Sequence, residues 1–260
     1  MGTWAAGRTP RALAKRRSGA HPTLGLAMLR RSPLLDGPRR DEPGSALIAA
    51  TMATALLLTL GSGLILIAVT EARLAWHSHA SAATLYAAEA ALERAAQDLW
   101  ATPDWDAALR GASTSAFIDG PPVGARAVGG TVVDLPALTN ELRCGRSVCA
   151  EADIAAFTAE RPWGRNNPRW QLYLWGRLSA LLPGAAAADD AYLLVWVGDD
   201  PNERDGDPLR DGAAPDEAGH GIVQLTAHAY GPGGIRRMLE ATVSRVPGGL
   251  PRLLTWREAW

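Results

Sequence analysis

The stretch Ser45–Val69, SALIAATMATALLLTLGSGLILIAV, is 25 residues long and carries no charged side chain. At about 1.5 Å per residue, a helix of this length spans roughly 37 Å, more than the roughly 30 Å hydrocarbon core of a bilayer. A core helix of a globular domain seldom runs this long without a polar face. The sequence therefore predicts a helix that spans a membrane.

A cleaved secretory signal is an alternative for this segment. Ala80-Ser81-Ala82 resembles the small-residue site at which signal peptidases cut. The apolar region of a signal peptide is, however, only about 7–15 residues long. The length of the stretch favours a helix that is retained.

Charge is divided unevenly along the chain. The net charge is −1, but residues 1–44 contain nine Lys or Arg and three acids, whereas the remaining 216 residues contain 17 bases and 24 acids. Because basic flanks stay in the cytoplasm, we expect the N-terminus inside and the C-terminal domain outside. The acidic body has no basic surplus for phosphates, so nucleic acid is not an expected partner.

The helical pattern continues beyond the apolar stretch. Residues 84–100 are rich in strong helix formers, lack Gly and Pro, and repeat an apolar position every seven residues until Pro103 provides a stop. The repeated positions form one face: Leu85, Ala88, Leu92, Ala95 and Leu99. We expect one helix over about 45–100, whose second half packs on a globular domain. The alternative is a break at 77–81, with a separate helix after it.

Short strands and turns dominate the chain from Pro103 onward. The alternating and apolar runs predict two hairpins and two further strands. Their positions are 126–135 around Gly129-Gly130, 170–175, 192–197, and 222–246 around 231–234. The expected fold class is α+β, with a long N-terminal helix, half in the membrane and half amphipathic, packed on an antiparallel sheet of about four to six strands.

These patterns divide the chain into four regions. Residues 1–44 form a basic cytoplasmic leader, which is shorter if translation starts at Met28. The transmembrane half of the helix covers 45–70, the amphipathic half covers 71–102, and a β-rich domain outside the cytoplasm covers 103–260.

The start of the helix resembles the cleavage site of type IV prepilins, in which a Gly precedes an apolar helix. Residues 44–50, GSALIAA, together with 87–92, AAEAAL, resemble the PilX-like minor pilins and are similar to the K-type minor pseudopilins of type II secretion. The last third, with its YGPGG hairpin, also resembles the C-terminal end of PilX-like sequences. The resemblance implies a pilin fold, cleavage between Gly44 and Ser45 by the prepilin peptidase, and methylation of the new N-terminus.

The resemblance also implies a location and partners. The chain would lie in the bacterial inner membrane and then join a filament by packing its N-terminal helix on other pilin subunits. Most pilins carry a Glu five residues into the mature chain, which pairs with the N-terminal ammonium of a neighbour, but here that position is Ala49. Because a buried charge needs such a partner, Ala49 suits a subunit at or near the tip, acting in assembly, adhesion or cargo contact.

The alternative function is an uncleaved single-pass inner-membrane protein whose periplasmic domain binds a ligand or a partner. An enzyme is not expected. The sequence contains no GxSxG, HExxH, Walker A or GxGxxG motif, and nothing pairs its carboxylates for acid–base catalysis.

Two local patterns are candidate sites. Cys144 and Cys149 lie in CGRSVC, where an oxidising compartment favours a disulfide over free thiols or a metal. Residues 199–217 are the most acidic stretch, and closely spaced acids with Gly suit a hard cation. The candidate calcium ligands are Asp199, Asp200, Asn202, Asp205 and Asp207. The stretch does not match the EF-hand spacing, and a solvated loop is the alternative; no cofactor besides calcium is expected.

Overall fold

The computed structural model describes residues 43–184, 190–212, 219–245 and 252–259. The leader predicted for residues 1–44, with its alternative start at Met28, lies outside the described residues except for positions 43 and 44. The chain divides into two units between Thr59 and Leu60.

A single helix, α1, runs from Pro43 to Ala101. Pro43 stands at its first position, where a missing N–H costs nothing, and the helix ends two residues before Pro103, which disfavours a helical conformation at Thr102. The alternative break at 77–81 is therefore not found. Within the described residues, α1 is the one helix long and apolar enough to cross a membrane.

In the first unit, the part of α1 up to Thr59 exposes its side chains along every face. These side chains are mostly Ala, Leu and Ile, and the threonines return their hydroxyls to the helix backbone. Thr51 and Thr54, for example, each donate to a carbonyl three residues earlier, at 2.9 Å. The polar groups of this segment are thus satisfied internally, as a lipid environment requires.

The second unit contains the remaining elements. Its helices are α2 (Trp105–Leu109), α3 (Leu135–Cys144), α4 (Glu151–Glu160) and α5 (Leu178–Leu181). Its strands are β1 (Ala125–Val128), β2 (Thr131–Asp134), β3 (Gln171–Arg177), β4 (Tyr192–Asp199), β5 (Ile222–Tyr230), β6 (Arg236–Ser244) and β7 (Arg252–Ala259).

The described strands form two antiparallel sheets. β1 and β2 make a separate hairpin, and the main sheet has the order β3-β4-β5-β6-β7. Five strands lie within the expected four to six, and the α+β class is confirmed. The predicted hairpins around 129–130 and 231–234 are present, whereas β7 and the helices α2, α3, α4 and α5 were not predicted.

The core lies between α1 and one face of the main sheet. From Ala80 onward, α1 buries a face made mainly of alanine, against alternate residues of β4, β5 and β6. The helix contributes Ala87, Ala88, Ala91, Leu92, Ala95, Ala96 and Leu99, and the strands contribute Leu193, Val195, Val197, Val223, Leu225, Ala227, Leu239 and Val243. The four positions of the predicted apolar face beyond Leu85 are buried, and Leu85 is partly buried.

A close approach of the sheet to the helix depends on one glycine. An added Cβ at Gly231, in the turn between β5 and β6, would overlap the hydroxyl of Thr84. That hydroxyl donates to the Ala80 carbonyl at 2.7 Å, so it cannot turn away without losing a bond. Gly231 therefore sets how near the turn lies to α1.

The opposite face of the sheet is covered by the β1–β2 hairpin and α3. A second cluster of buried residues fills this layer: Val128, Val133, Leu135, Trp175, Tyr192, Leu194, Trp196, Tyr230. Because β4 is buried on both faces, its side chains are apolar without alternation, which is the pattern that predicted an interior strand. The described part of the second unit thus has three layers.

His228 on β5 lies beside Trp196 in the cluster that α3 covers, and its pKa is lowered. Its ring packs edge-on against Trp196, with centroids 4.8 Å apart, and its Nδ1 lies 3.3 Å from the Arg236 guanidinium. Burial, and then the charge of Arg236, lowers the pKa of His228 from 6.5 to about 3. The folded domain therefore holds this imidazole neutral where an unfolded chain would protonate it.

We expect His228 to make the domain acid-sensitive. As the pH falls from 7 to 5, the unfolded chain gains this proton and the folded chain does not, so the free energy of unfolding decreases by about 2 kcal/mol from this group. His228→Gln should remove that part of the pH dependence, measured by chemical denaturation at both pH values. Equal losses of stability in the wild type and the variant would contradict the assignment.

Candidate metal centre

Three carboxylates converge where β4 ends. Asp199 is the last residue of β4, and the following loop brings Glu203 and Asp205 back towards it. One oxygen from each side chain lies within 4.8 Å of the other two. The arrangement places three potential negative charges around one point.

Burial makes this cluster unlike an ordinary acidic loop. The exposed fraction is 1% for Asp199 and 0% for Glu203. Among the described residues, Asp199 Oδ1 and Glu203 Oε1 are buried and have no hydrogen-bond partner. A buried oxygen without a partner costs free energy, and the described residues supply no partner for these two atoms.

The pKa values reflect the same environment. Burial, followed by the charge of Glu203, raises the pKa of Asp199 to about 9. Burial and the nearby Asp211 raise the pKa of Glu203 to about 8. Desolvation also raises the pKa of Asp211, although its Oδ1 accepts from the Gly221 amide at 2.7 Å. No positively charged side chain among the described residues offsets burial at Asp199 or Glu203, whereas His220 and Arg245 partly offset it at Asp211.

The other predicted ligands serve the loop's own turns. Asp200 Oδ1 accepts from the backbone and side-chain amides of Asn202, at 3.1 and 2.8 Å. Asp207 Oδ1 accepts from the Leu209 amide at 3.3 Å. Of the five candidate residues, the structure brings Asp199 and Asp205 into the cluster and leaves Asp200, Asn202 and Asp207 outside it.

Glu203 is the member that sequence reasoning did not select. Its Oε2 accepts from the Gly212 amide at 3.0 Å, while its Oε1 has no partner among the described residues. Its backbone carbonyl accepts from the Asn166 side chain, which in turn accepts from the Gly206 amide at 3.0 Å. Three residues lie between Asp199 and Glu203, and the fold of the loop, which spacing alone does not reveal, brings them together.

The geometry suits a calcium-sized cation. Calcium takes oxygen ligands at about 2.3–2.6 Å, so two of its ligands can be up to about 5 Å apart. The separations of Asp199, Glu203 and Asp205 fall within that limit. Asp199 and Glu203 each offer an oxygen with no other partner among the described residues.

The remaining predicted positions lie elsewhere. Cys144 ends α3, Cys149 precedes α4, and the two are joined in a disulfide with Cα atoms 6.3 Å apart. Gly44 and Ser45 lie in the first turn of α1. Residues 213–218 of the acidic stretch, which include Asp216 and Glu217, fall outside the described residues.

No family model, curated protein or solved structure matches this chain. The resemblance to pilins therefore depends on the short segments at 44–50 and 87–92 and on the C-terminal hairpin.

The position of Glu203 is sensitive to one neighbouring glycine. A Cβ added at Gly219 would overlap Glu203 Cγ, whereas one added at Gly206 in the same loop would meet only Arg165 atoms at 3.9 Å. Both glycines have a positive φ, +95° and +72°, so both alanine variants share a backbone strain of about 1–2 kcal/mol. Gly219→Ala should lose a further 1–3 kcal/mol or so, measured by chemical denaturation. Equal losses in the two variants would show that Glu203 is not held as described.

Proposed function

We propose that this chain is a membrane-anchored, pilin-like subunit that is cut between Gly44 and Ser45 and assembled into a filament. The observation that carries the proposal is the continuity of α1 from Pro43 to Ala101. One helix supplies both the apolar membrane-length segment and the buried face of the globular domain.

The change in burial along α1 supports the proposal. Up to His79 the side chains are exposed apart from Gly61 and Gly63, and from Ala80 the helix becomes part of the core. The exposed segment includes eight leucines and isoleucines between Leu56 and Ile67. Side chains of this kind pack on lipid or on other helices, as a helix that leaves the membrane for a filament must do.

The beginning of α1 supports the processing step. Gly44 follows Pro43 directly, and a Cβ added at Gly44 would meet no atom within 4 Å. The Gly44–Ser45 bond is therefore not enclosed by other described parts of the chain. Ala49, with its exposed methyl group, brings no carboxylate for the ammonium of a neighbour, which suits a place at or near the filament tip.

The rival function keeps the leader and uses the helix as a permanent anchor for a ligand-binding domain. It shares the same helix and the same sheet, so the fate of the Gly44–Ser45 bond distinguishes the two.

The first test is the mature N-terminus of the full chain, measured by mass spectrometry with and without a prepilin peptidase. We expect an N-methylated Ser45 that depends on the peptidase. Gly44→Val should block cleavage, because a branched side chain crowds the scissile bond. Gly63→Val is the matched control, since an added Cβ meets no atom within 4 Å at either glycine. An N-terminus upstream of Gly44 in the presence of the peptidase would favour the permanent anchor.

We also propose that Asp199, Glu203 and Asp205 bind calcium. The observation favouring it is the pair of buried oxygens that lack a partner among the described residues. A cation there would join the end of β4 to the loop that precedes β5, and would satisfy Asp199 Oδ1 and Glu203 Oε1 together.

Thermal unfolding of the chelator-treated chain tests the calcium site. Calcium at about 100 times its dissociation constant should add about 2.7 kcal/mol, which raises the melting temperature by roughly 5–10 °C in a domain of this size. Glu203→Gln should abolish the shift. Asp207→Asn should retain it, because Asp207 caps a turn outside the cluster. An unchanged melting temperature of the wild type at millimolar calcium would refute the site.

A further inference from the structure

A cleft lies beside α3 and β3, apart from the carboxylate cluster. It has a narrow arm of about 160 Å³ and a wide arm of about 380 Å³. Arg143 from α3 and Gln171 from β3 line both arms. The two cavities are therefore adjacent, with these two side chains bordering both, and we refer to them together as one cleft with two arms.

The narrow arm carries an excess of positive charge. Arg110, Arg143 and Arg169 line it, and Glu151 is its one acidic lining residue. Arg169 pairs with Glu151, and Arg110 pairs with Asp106 at 3.2 Å. None of the ion pairs among the described residues involves Arg143.

Arg143 is held in place by neutral acceptors. Its Nε donates to the Trp170 carbonyl at 2.6 Å, and its Nη2 donates to Gln171 Oε1. Burial, followed by repulsion from Arg169, lowers the pKa of Arg143, and Glu151 only partly opposes this. A half-buried guanidinium fixed in one orientation, without an anion of its own, is arranged to receive one.

The wide arm is mainly apolar. Its wall includes Val123, Leu172 and the buried Trp175, together with two prolines at positions 122 and 136. A volume of this size accommodates an aliphatic side chain in contact with these walls. An apolar group in the wide arm would place an attached polar group at the Arg143–Gln171 junction.

We propose that this cleft binds an apolar carboxylate. The carboxylate group binds Arg143 and Arg169 in the narrow arm, and the aliphatic group packs against Val123, Leu172 and Trp175 in the wide arm. Two sources share this chemistry, the C-terminal residue of a peptide and a small aliphatic acid. The inference is independent of filament assembly and of calcium binding, since it concerns a different set of side chains.

Ligand-observed NMR on the full chain in nanodiscs tests the cleft, with empty nanodiscs as the reference for partition into lipid. N-acetyl-leucine is the probe. N-acetyl-leucinamide, which has the same shape without the charge, should bind at least tenfold more weakly, because charge-assisted hydrogen bonds are lost. Equal affinity for the acid and the amide, or no binding of either at millimolar concentration, would overturn the proposal.

Variants locate the binding. Arg143→Gln should weaken binding of N-acetyl-leucine at least tenfold, and Arg169→Gln provides a second test if the first variant fails to fold. Arg146→Gln is the matched control, because Arg146 lies three residues from Arg143, is largely exposed and pairs with Asp153. A similar loss in the control would place binding elsewhere and refute the site.

Two further probes define the ligand. Inorganic phosphate that binds as tightly as N-acetyl-leucine would overturn the apolar part of the proposal. 4-Methylpentanoate lacks the peptide-like amide, so weaker binding of this acid supports a peptide C-terminus, and equal binding supports a small aliphatic acid.

Discussion

The close packing of α1 on the main sheet is the constraint on which the rest of the domain depends. Alanines such as Ala88, Ala91 and Ala95 are fully buried, and their small side chains let the helix backbone come near β4, β5 and β6. Each buried methyl contributes little area, so the stabilisation comes from many close contacts and from the larger residues that the strands supply. This explains why position 231 is a glycine: a side chain there would force Thr84, and with it α1, away from the sheet. The same helix is exposed before Ala80 and carries no charged side chain from Ser45 to Val69, so one continuous backbone serves two different environments.

The end of β4 shows what this packing imposes on polar residues. β4 is buried on both faces, and its last residue, Asp199, is buried as well although it is acidic. Water cannot solvate the carboxylate there, and Glu203 adds a second acid beside it. Domains usually satisfy buried carboxylates with arginine, lysine or backbone amides. In this domain, backbone amides donate to Glu203 Oε2 and Asp211 Oδ1. Asp199 Oδ1 and Glu203 Oε1 have no partner among the described residues.

Sequence patterns predicted those elements whose residues repeat locally. The apolar run and the leucine repeat predicted α1, and the alternating strands with their glycine turns predicted most of the main sheet. Helices α3 and α4 were missed because they are ten residues each, too short to give a long periodic signal. The start of α3 is marked by Asp134, whose side chain accepts from the Ala137 amide, and by Pro136 in its first turn. β7 was missed because RLLTWREA does not alternate cleanly. Glu203 and Arg143 could not be selected from sequence, because what distinguishes each is a missing contact. Glu203 Oε1 has no hydrogen-bond partner among the described residues, and Arg143 forms no ion pair there.

The loop after β4 connects the two candidate sites physically. Residues 203 and 205 contribute carboxylates to the acidic cluster, and Leu209, four residues later, lines the narrow arm of the arginine cleft. Asp207 lies between them and fixes the turn by accepting from the Leu209 amide. A cation that holds Glu203 and Asp205 would therefore also restrain the loop segment that leads to Leu209, one residue of the cleft lining. The two sites are energetically coupled only if a bound cation changes the affinity of the cleft for its ligand. A ligand in the cleft must then change the affinity of the cluster for the cation by the same factor. Because Leu209 contributes an apolar side chain and no charge, such coupling would act on the shape of the narrow arm and leave the charge that Arg143 presents unchanged.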